Sequence, residues 1–167
     1  MTTRLLITLI GLFFFQQKNE NVNGWYKSTW GIDRDSISKL FPEATTPQHR
    51  DNVDGIYTSL EMRDYDIAGY KFTVAFRMDA KTKSLICVRM TYLAEYPGLV
   101  FDKFNEMLTS KYGSPSSKED NHSYGIDKIR IWSLAKTTIK LEYENNSLLQ
   151  CVVVHYNMKR DSESSKF

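Results

Sequence analysis

The sequence predicts an α+β domain: an antiparallel sheet of about six strands with two main helices on one face. Three observations carry this. Several runs alternate apolar with polar residues, short polar turns separate the runs, and two segments repeat apolar residues at three- and four-residue steps. The order is helix, three strands, helix, three strands, which suits a helix-strand-strand-strand tandem repeat. Short turns favour antiparallel pairing, because parallel strands need long crossovers.

The first helix follows Trp30-Gly31. Asp33 or Asp35 can cap it, since a carboxylate accepts the orphan N–H groups of a first turn. Ile37, Leu40 and Phe41 form its apolar side, and Pro42 ends it. The stretch 43–54 is polar, holds Pro47, and reads as a loop. Three strand runs follow. Ile56–Met62 is the weakest. In the clearest, Tyr70, Phe72, Val74, Phe76 and Met78 alternate with Lys71, Thr73, Ala75 and Arg77. Leu85–Leu93 is the third, with Ile86, Val88, Met90 and Tyr92 on one side.

Pro97-Gly98 opens the second helix. Its stripe is Val100, Phe101, Phe104, Met107, Leu108 and Tyr112, with Gly113 as C-terminal cap and Pro115 beyond. The stretch 114–124 reads as a polar loop. Strands then fall at Ile126–Leu134, Thr138–Tyr143 and Leu148–Tyr156, with a turn at Glu144-Asn145-Asn146-Ser147. Residues 159–167 form a polar tail. Several strands are apolar on both sides, so the helix-free face calls for a partner or a curled sheet.

The chain of 167 residues suits one domain, and 41% apolar with 13% aromatic residues can supply a core. Net charge is +2, with no concentrated basic patch, which argues against a nucleic-acid binder. Arg4 precedes an apolar run, Leu5–Phe15, with the layout of a secretory signal. The run is shorter than the roughly 20 residues a spanning helix needs. The expected organisation is a signal over 1–24, a domain over 25–158 and the tail. Val22-Asn23-Gly24 offers the cleavage site. No stable membrane insertion is expected after its removal, and the expected location is periplasmic or secreted.

Trp30-Gly31-Ile32-Asp33 after such a leader, Lys111-Tyr112-Gly113-Ser114-Pro115, and Trp132 followed by Thr138–Tyr143 together resemble small exported bacterial proteins of unknown function. Those open the first helix with a Trp-Gly-Met-Ser-like phrase and close the second with Lys-Tyr-Gly-x-Pro; Ile32 stands here where methionine is usual. In outline the repeat is similar to the secreted beta-lactamase inhibitor proteins and to small outer-membrane assembly lipoproteins. Neither likeness carries a catalytic residue.

The candidate chemistry is sparse. His49, His122 and His155 lack neighbouring ligands at metal-site spacing, and no metal or other cofactor is expected. Cys87 and Cys151 occupy matching third strands. An exported protein would permit a disulfide between them, and two buried thiols are the plainer reading. Cys151 and His155 share a strand side but lie about 13 Å apart, too far for a nucleophile pair. Asp64, Asp66, Glu61, Glu95, Glu142 and Glu144 would serve a hydrolase only if two converged.

Tyr65 and Tyr96, near strand ends, could form an exposed aromatic recognition patch. Arg77, Arg89 and Arg130 fall mid-strand and could line a cationic strip on an exposed sheet face. The expected function is therefore binding of an envelope or secreted protein by a non-enzymatic exported domain. A small hydrolase using carboxylates or His122 and His155 is one alternative. A small-ligand carrier with an apolar cavity is the other.

Overall fold

The computed structural model describes residues 21–49, 51–120, 125–146 and 148–159. The leader run Leu5–Phe15, His122 and most of the tail lie outside them. The elements in order are β1 (Gly24–Trp25), β2 (Ser28–Thr29), α1 (Arg34–Leu40), β3 (Asn52–Val53), β4 (Ile56–Ile67), β5 (Tyr70–Asp79) and β6 (Leu85–Tyr92). Then come α2 (Pro97–Tyr112), β7 (Ser117–Asp120), β8 (Ile126–Ser133), β9 (Thr137–Asn145) and β10 (Gln150–Met158).

β1 and β2 form a small sheet of their own. The rest make one antiparallel sheet of eight strands in the order β3-β4-β5-β6-β10-β9-β8-β7. The expectation of about six strands is thus corrected. The two extra members, β3 and β7, are short edge strands within segments that read as polar loops. Ser117–Asp120 is mostly exposed and lacks any apolar alternation. A charged edge strand blunts pairing with other chains, which is why it looks like a loop in sequence.

β4 runs five residues beyond Met62, the expected end of that strand, through Asp64-Tyr65-Asp66 to Ile67. The turn instead falls at Ala68-Gly69. Both have positive φ, 55° and 87°, as a two-residue hairpin of matching twist requires. A bulge between Met62 and Tyr65, with Asp64 at φ 53°, lets the strand continue past its polar insert.

Both helices lie on the same side of the sheet. Phe41, closing α1, packs on Phe76 with ring centroids 4.9 Å apart, and Phe104 of α2 packs on Phe72, also at 4.9 Å. Phe72 and Phe76 are two steps of one alternating row on β5, and both are fully buried. Truncating either to alanine would cost about 3–5 kcal/mol. The register carries the row sideways through Val88 and Met90 of β6, then Val154 and Tyr156 of β10, then Ile139 and Leu141 of β9. These side chains and the helix stripes form one core.

The phrases Trp30-Gly31-Ile32-Asp33 and Lys111-Tyr112-Gly113-Ser114-Pro115 have local explanations. Gly31, at φ 88°, turns the chain so that its N–H reaches Leu85 O at 2.9 Å, while Leu85 N–H returns to Ile32 O at 2.8 Å. Asp33 caps α1 by accepting from Ser36 N–H at 2.8 Å. Gly113, at φ 83°, caps α2, and its carbonyl accepts from Trp132 Nε1 at 2.8 Å. Each phrase therefore joins a helix end to the sheet.

Candidate functional site

The helix side carries a cleft of about 730 Å³. Met90 and Tyr156 form its floor. The C-terminal half of α2 (Phe104, Met107, Leu108, Lys111, Tyr112) is one wall, and the β1–β2 pair with Val22 is the other. The β4–β5 hairpin, from Tyr65 to Ala68, closes one end. The lining is apolar and aromatic with two charged groups, Lys111 and Asp66, a composition suited to a small ligand.

Each wall has a local cause. Gly24 lets β1 press against β2: a Cβ there would fall inside the contact radius of Ser28 O. Trp25 then rests on Phe41, Tyr65 and Phe76 at 5.8, 6.0 and 6.0 Å. Met107, one member of the α2 stripe, is 37% exposed and lends its flexible side chain to the cleft. Burial pushes the Tyr156 hydroxyl well above the usual phenol range. The neighbouring Tyr112, hydrogen-bonded to it, adds to this, so Tyr156 is neutral at ordinary pH. Burial likewise raises Tyr65, helped by Tyr26 and Glu43.

The expected pairing of Tyr65 and Tyr96 into one patch is corrected. Tyr65 is half-buried in the cleft. Tyr96 is 72% exposed at the other end of α2, where it takes a left-handed conformation (φ 56°) ahead of Pro97. No ring contact joins them. A helix of 16 residues, about 24 Å long, separates the two ends.

The helix-free face is mixed: Arg77, Arg89, Lys140, Glu142 and His155 stand among Cys87, Ile129, Ile131 and Val153. Arg77 and Arg89 share it, as the strip expected of them requires, but Arg130 does not. The register sets Arg130 opposite Leu141, on the helix side. There its guanidinium lies 5.5 Å over the Phe101 ring, 2.8 Å from Asp120, and bonds to the carbonyls of Glu119 and Ile129. Arg130 is thus a bracket between β7, β8 and α2.

On the open face Glu142 is buried and bonded to Lys140 Nζ at 2.7 Å and to His155 Nε2 at 3.2 Å. Burial alone would raise its carboxyl. The hydrogen bonds and charges of His155 and Lys140 outweigh that and hold it at about 2. Glu142 is therefore an ionised anchor and not a proton donor at neutral pH.

The cysteines cannot join in this fold. Cys87 stands opposite Asn157, whereas Cys151 lies six residues earlier on the same strand, about 20 Å away at standard rise. A disulfide needs Cα atoms within about 7 Å. Both are free, buried thiols. Burial pushes Cys87 up to about 11 against the opposing pull of Arg77 and Arg89, and burial with Glu144 pushes Cys151 to about 12. Neither is a ready nucleophile.

The carboxylates do not converge either. Glu61 pairs with Arg63 and Asp66 with Lys71, both at the surface. Among the described residues no group of three or more His, Cys, Asp or Glu side chains could hold a metal, and no helix is long and apolar enough to cross a membrane. Comparison with protein families, with characterised proteins and with solved structures finds no match to the chain.

Nothing in the sequence marks the cleft beyond Tyr65. Its two walls, Val22 to Thr29 and Phe104 to Tyr112, are far apart in the chain, and only tertiary packing assembles them.

Proposed function

We propose that the chain is an exported, non-enzymatic binding domain that holds a small, largely apolar ligand in the cleft between β1–β2, α2 and the sheet. The observation that carries this reading is the cleft itself: about 730 Å³, floored by Met90 and Tyr156 and walled by aromatic and methionine side chains. That volume suits a single drug-sized molecule. Methionine adapts to varied apolar shapes, and Trp25 and Tyr65 offer ring faces. Lys111 at the rim would favour a ligand with an anionic end.

The test is a titration with an apolar fluorophore, 8-anilinonaphthalene-1-sulfonate, read by its emission and by quenching of Trp25. Saturable binding that Met107→Arg weakens at least tenfold supports the reading. Met107 is at the rim, so the variant should keep its fold. Absence of saturable binding, or binding indifferent to Met107→Arg, rejects it.

A second reading is docking of an envelope or secreted protein. It rests on the exposed Leu93, Tyr96 and Leu99 around the start of α2, which are 60, 72 and 68% exposed. Recovery of one partner from envelope extract by the wild type, lost in a Tyr96→Ala, Leu99→Ser variant, would favour it. The strand order, β3 to β6 on one side of the β6–β10 pair and β10 to β7 on the other, supports reading the domain as two units of one helix and four strands.

A further inference from the structure

We propose that the helix-free sheet face binds a phosphate-class oxyanion at Arg89, with Arg77 as its second arm. This goes beyond the cleft, which opens on the other side of the sheet.

The placement follows from register. Arg77 stands opposite Cys87 and Arg89 opposite Ala75, so the arginines are diagonal neighbours on adjacent strands with side chains on one face. Diagonal partners lie about 7–8 Å apart, within reach of long side chains converging on one group. On its other flank Arg89 faces His155, which faces Lys140 in turn. Three basic side chains therefore stand in a row across three strands, with Arg77 beside the first.

The acids of this face already have partners, among them Glu61, which stands opposite Ala75 and pairs with Arg63 at 2.8 Å. Glu142 is bound by Lys140 and His155. Asp51 accepts from Thr58 N–H at 3.0 Å and from Arg77 at 3.2 Å, and Glu144 accepts from the Cys151 thiol at 3.5 Å. Asp51 is held below the usual aspartate range: burial opposes this, and the Thr58 bonds and Arg77 overcome it.

Arg89 is left over. Among the described residues no carboxylate lies within ion-pair distance of it, and its Nε is buried without an acceptor, as is Arg77 Nε. A half-buried guanidinium with an orphan N–H carries the cost of lost water without a replacement bond. An oxyanion placed between the arginines would supply that acceptor and the missing charge. Guanidinium forks match such groups in pairs of parallel bonds, and partial burial strengthens them. Side chains rising from two strands approach a common point from different directions. A tetrahedral oxyanion presents oxygens to both, whereas a planar carboxylate presents them in one plane.

The experiment is a titration of the full chain with inorganic phosphate, sulfate and acetate, followed by backbone amide shifts. Phosphate and sulfate should bind saturably, with a dissociation constant of order 1 mM or tighter. The shifted amides should cluster at Ala75, Cys87, Arg89 and His155. Arg89→Ala should lower phosphate affinity at least tenfold, and Arg89→Lys should lower it less, because it keeps the charge and loses the fork. Arg130→Ala should leave it unchanged. Should Arg89→Ala fail to fold, Arg89→Lys and Arg77→Gln give the same ordering. Phosphate binding that survives these substitutions, shifts mapping to α2, or no saturable binding overturns the site. Acetate binding as tight as phosphate overturns its class. Loss of the fluorophore site in the cleft would leave the result untouched.

Discussion

Trp30 and Thr137, 107 residues apart, share one hydroxyl: the indole Nε1 donates to Thr137 Oγ1 at 2.8 Å. The same hydroxyl donates onward to the Val22 carbonyl. Thr137 is fully buried at the start of β9, so both partners depend on it. This relay ties the segment before α1, which forms one cleft wall, to the second half of the sheet.

Thr137→Val keeps the shape and removes the hydroxyl. The Trp30 N–H and the Val22 carbonyl then lose their partner in a half-buried setting. We expect a loss of about 1–3 kcal/mol, the range for an unmet buried polar group. Urea denaturation followed by tryptophan fluorescence measures it. A loss below about 0.5 kcal/mol, the scatter of neutral substitutions, would mean that the relay is incidental.

We predict that an exported form of the chain is cut before Val22. The expected site at Gly24 conflicts with how the fold uses this stretch, because Asn23 O accepts from Trp30 N–H at 3.0 Å and Val22 packs on the core. A cut after Gly24 would discard both and unpair β1. Expression with the native N-terminus in a bacterial host, followed by fractionation and intact mass, decides. A periplasmic product that retains Val22 fits; one beginning at Trp25 does not. A full-length cytoplasmic product would remove the export reading altogether.

β5 and α2 were legible because each buries one side. β5 alternates cleanly, and α2 carries a stripe between Pro97 and Gly113, so both were readable to within a few residues. What was not legible lacks such a signal. β3 and β7 are edge strands whose residues face solvent. Arg130 was misplaced for a different reason. Ile129 and Ile131 suggest by alternation that Arg130 faces outward. Yet the pairing of β8 with β9 points the isoleucines to the helix-free side and turns Arg130 under α2. Only a cross-strand register, which no local pattern carries, decides that. The cleft was hidden similarly, since its walls meet only after the sheet closes over β6 and β10.

Gly24→Ala should damage the cleft more than the fold. The new methyl would collide with the Ser28 carbonyl, and φ of 155° suits glycine alone. The β1–β2 pair would open, taking Tyr26 and Ser28 from their places along the wall. We expect fluorophore binding to fall at least tenfold while far-ultraviolet circular dichroism is kept, with roughly 2 kcal/mol lost. Unchanged binding would show that this hairpin is not part of the site.

Stability should fall steeply in acid, and Glu142 should carry a separable part of that fall. Its carboxyl lies at about 2 in the folded chain, below the ordinary glutamate value. Folding therefore favours the ionised form. That contribution is complete above the unfolded value, near 4.3, and disappears as pH falls toward about 2. The size is about 2–3 kcal/mol. Asp51 and Asp120 are also held below the ordinary aspartate value, so the wild-type curve alone does not isolate Glu142. Glu142→Gln does. It should be less stable than wild type at pH 7, and the two curves should converge between pH about 5 and about 2 as the wild type loses the same interaction. Denaturant midpoints measured across that range give the difference directly. A gap that stays constant with pH would mean that Glu142 contributes through packing alone, and that the charges of Lys140 and His155 do not hold it.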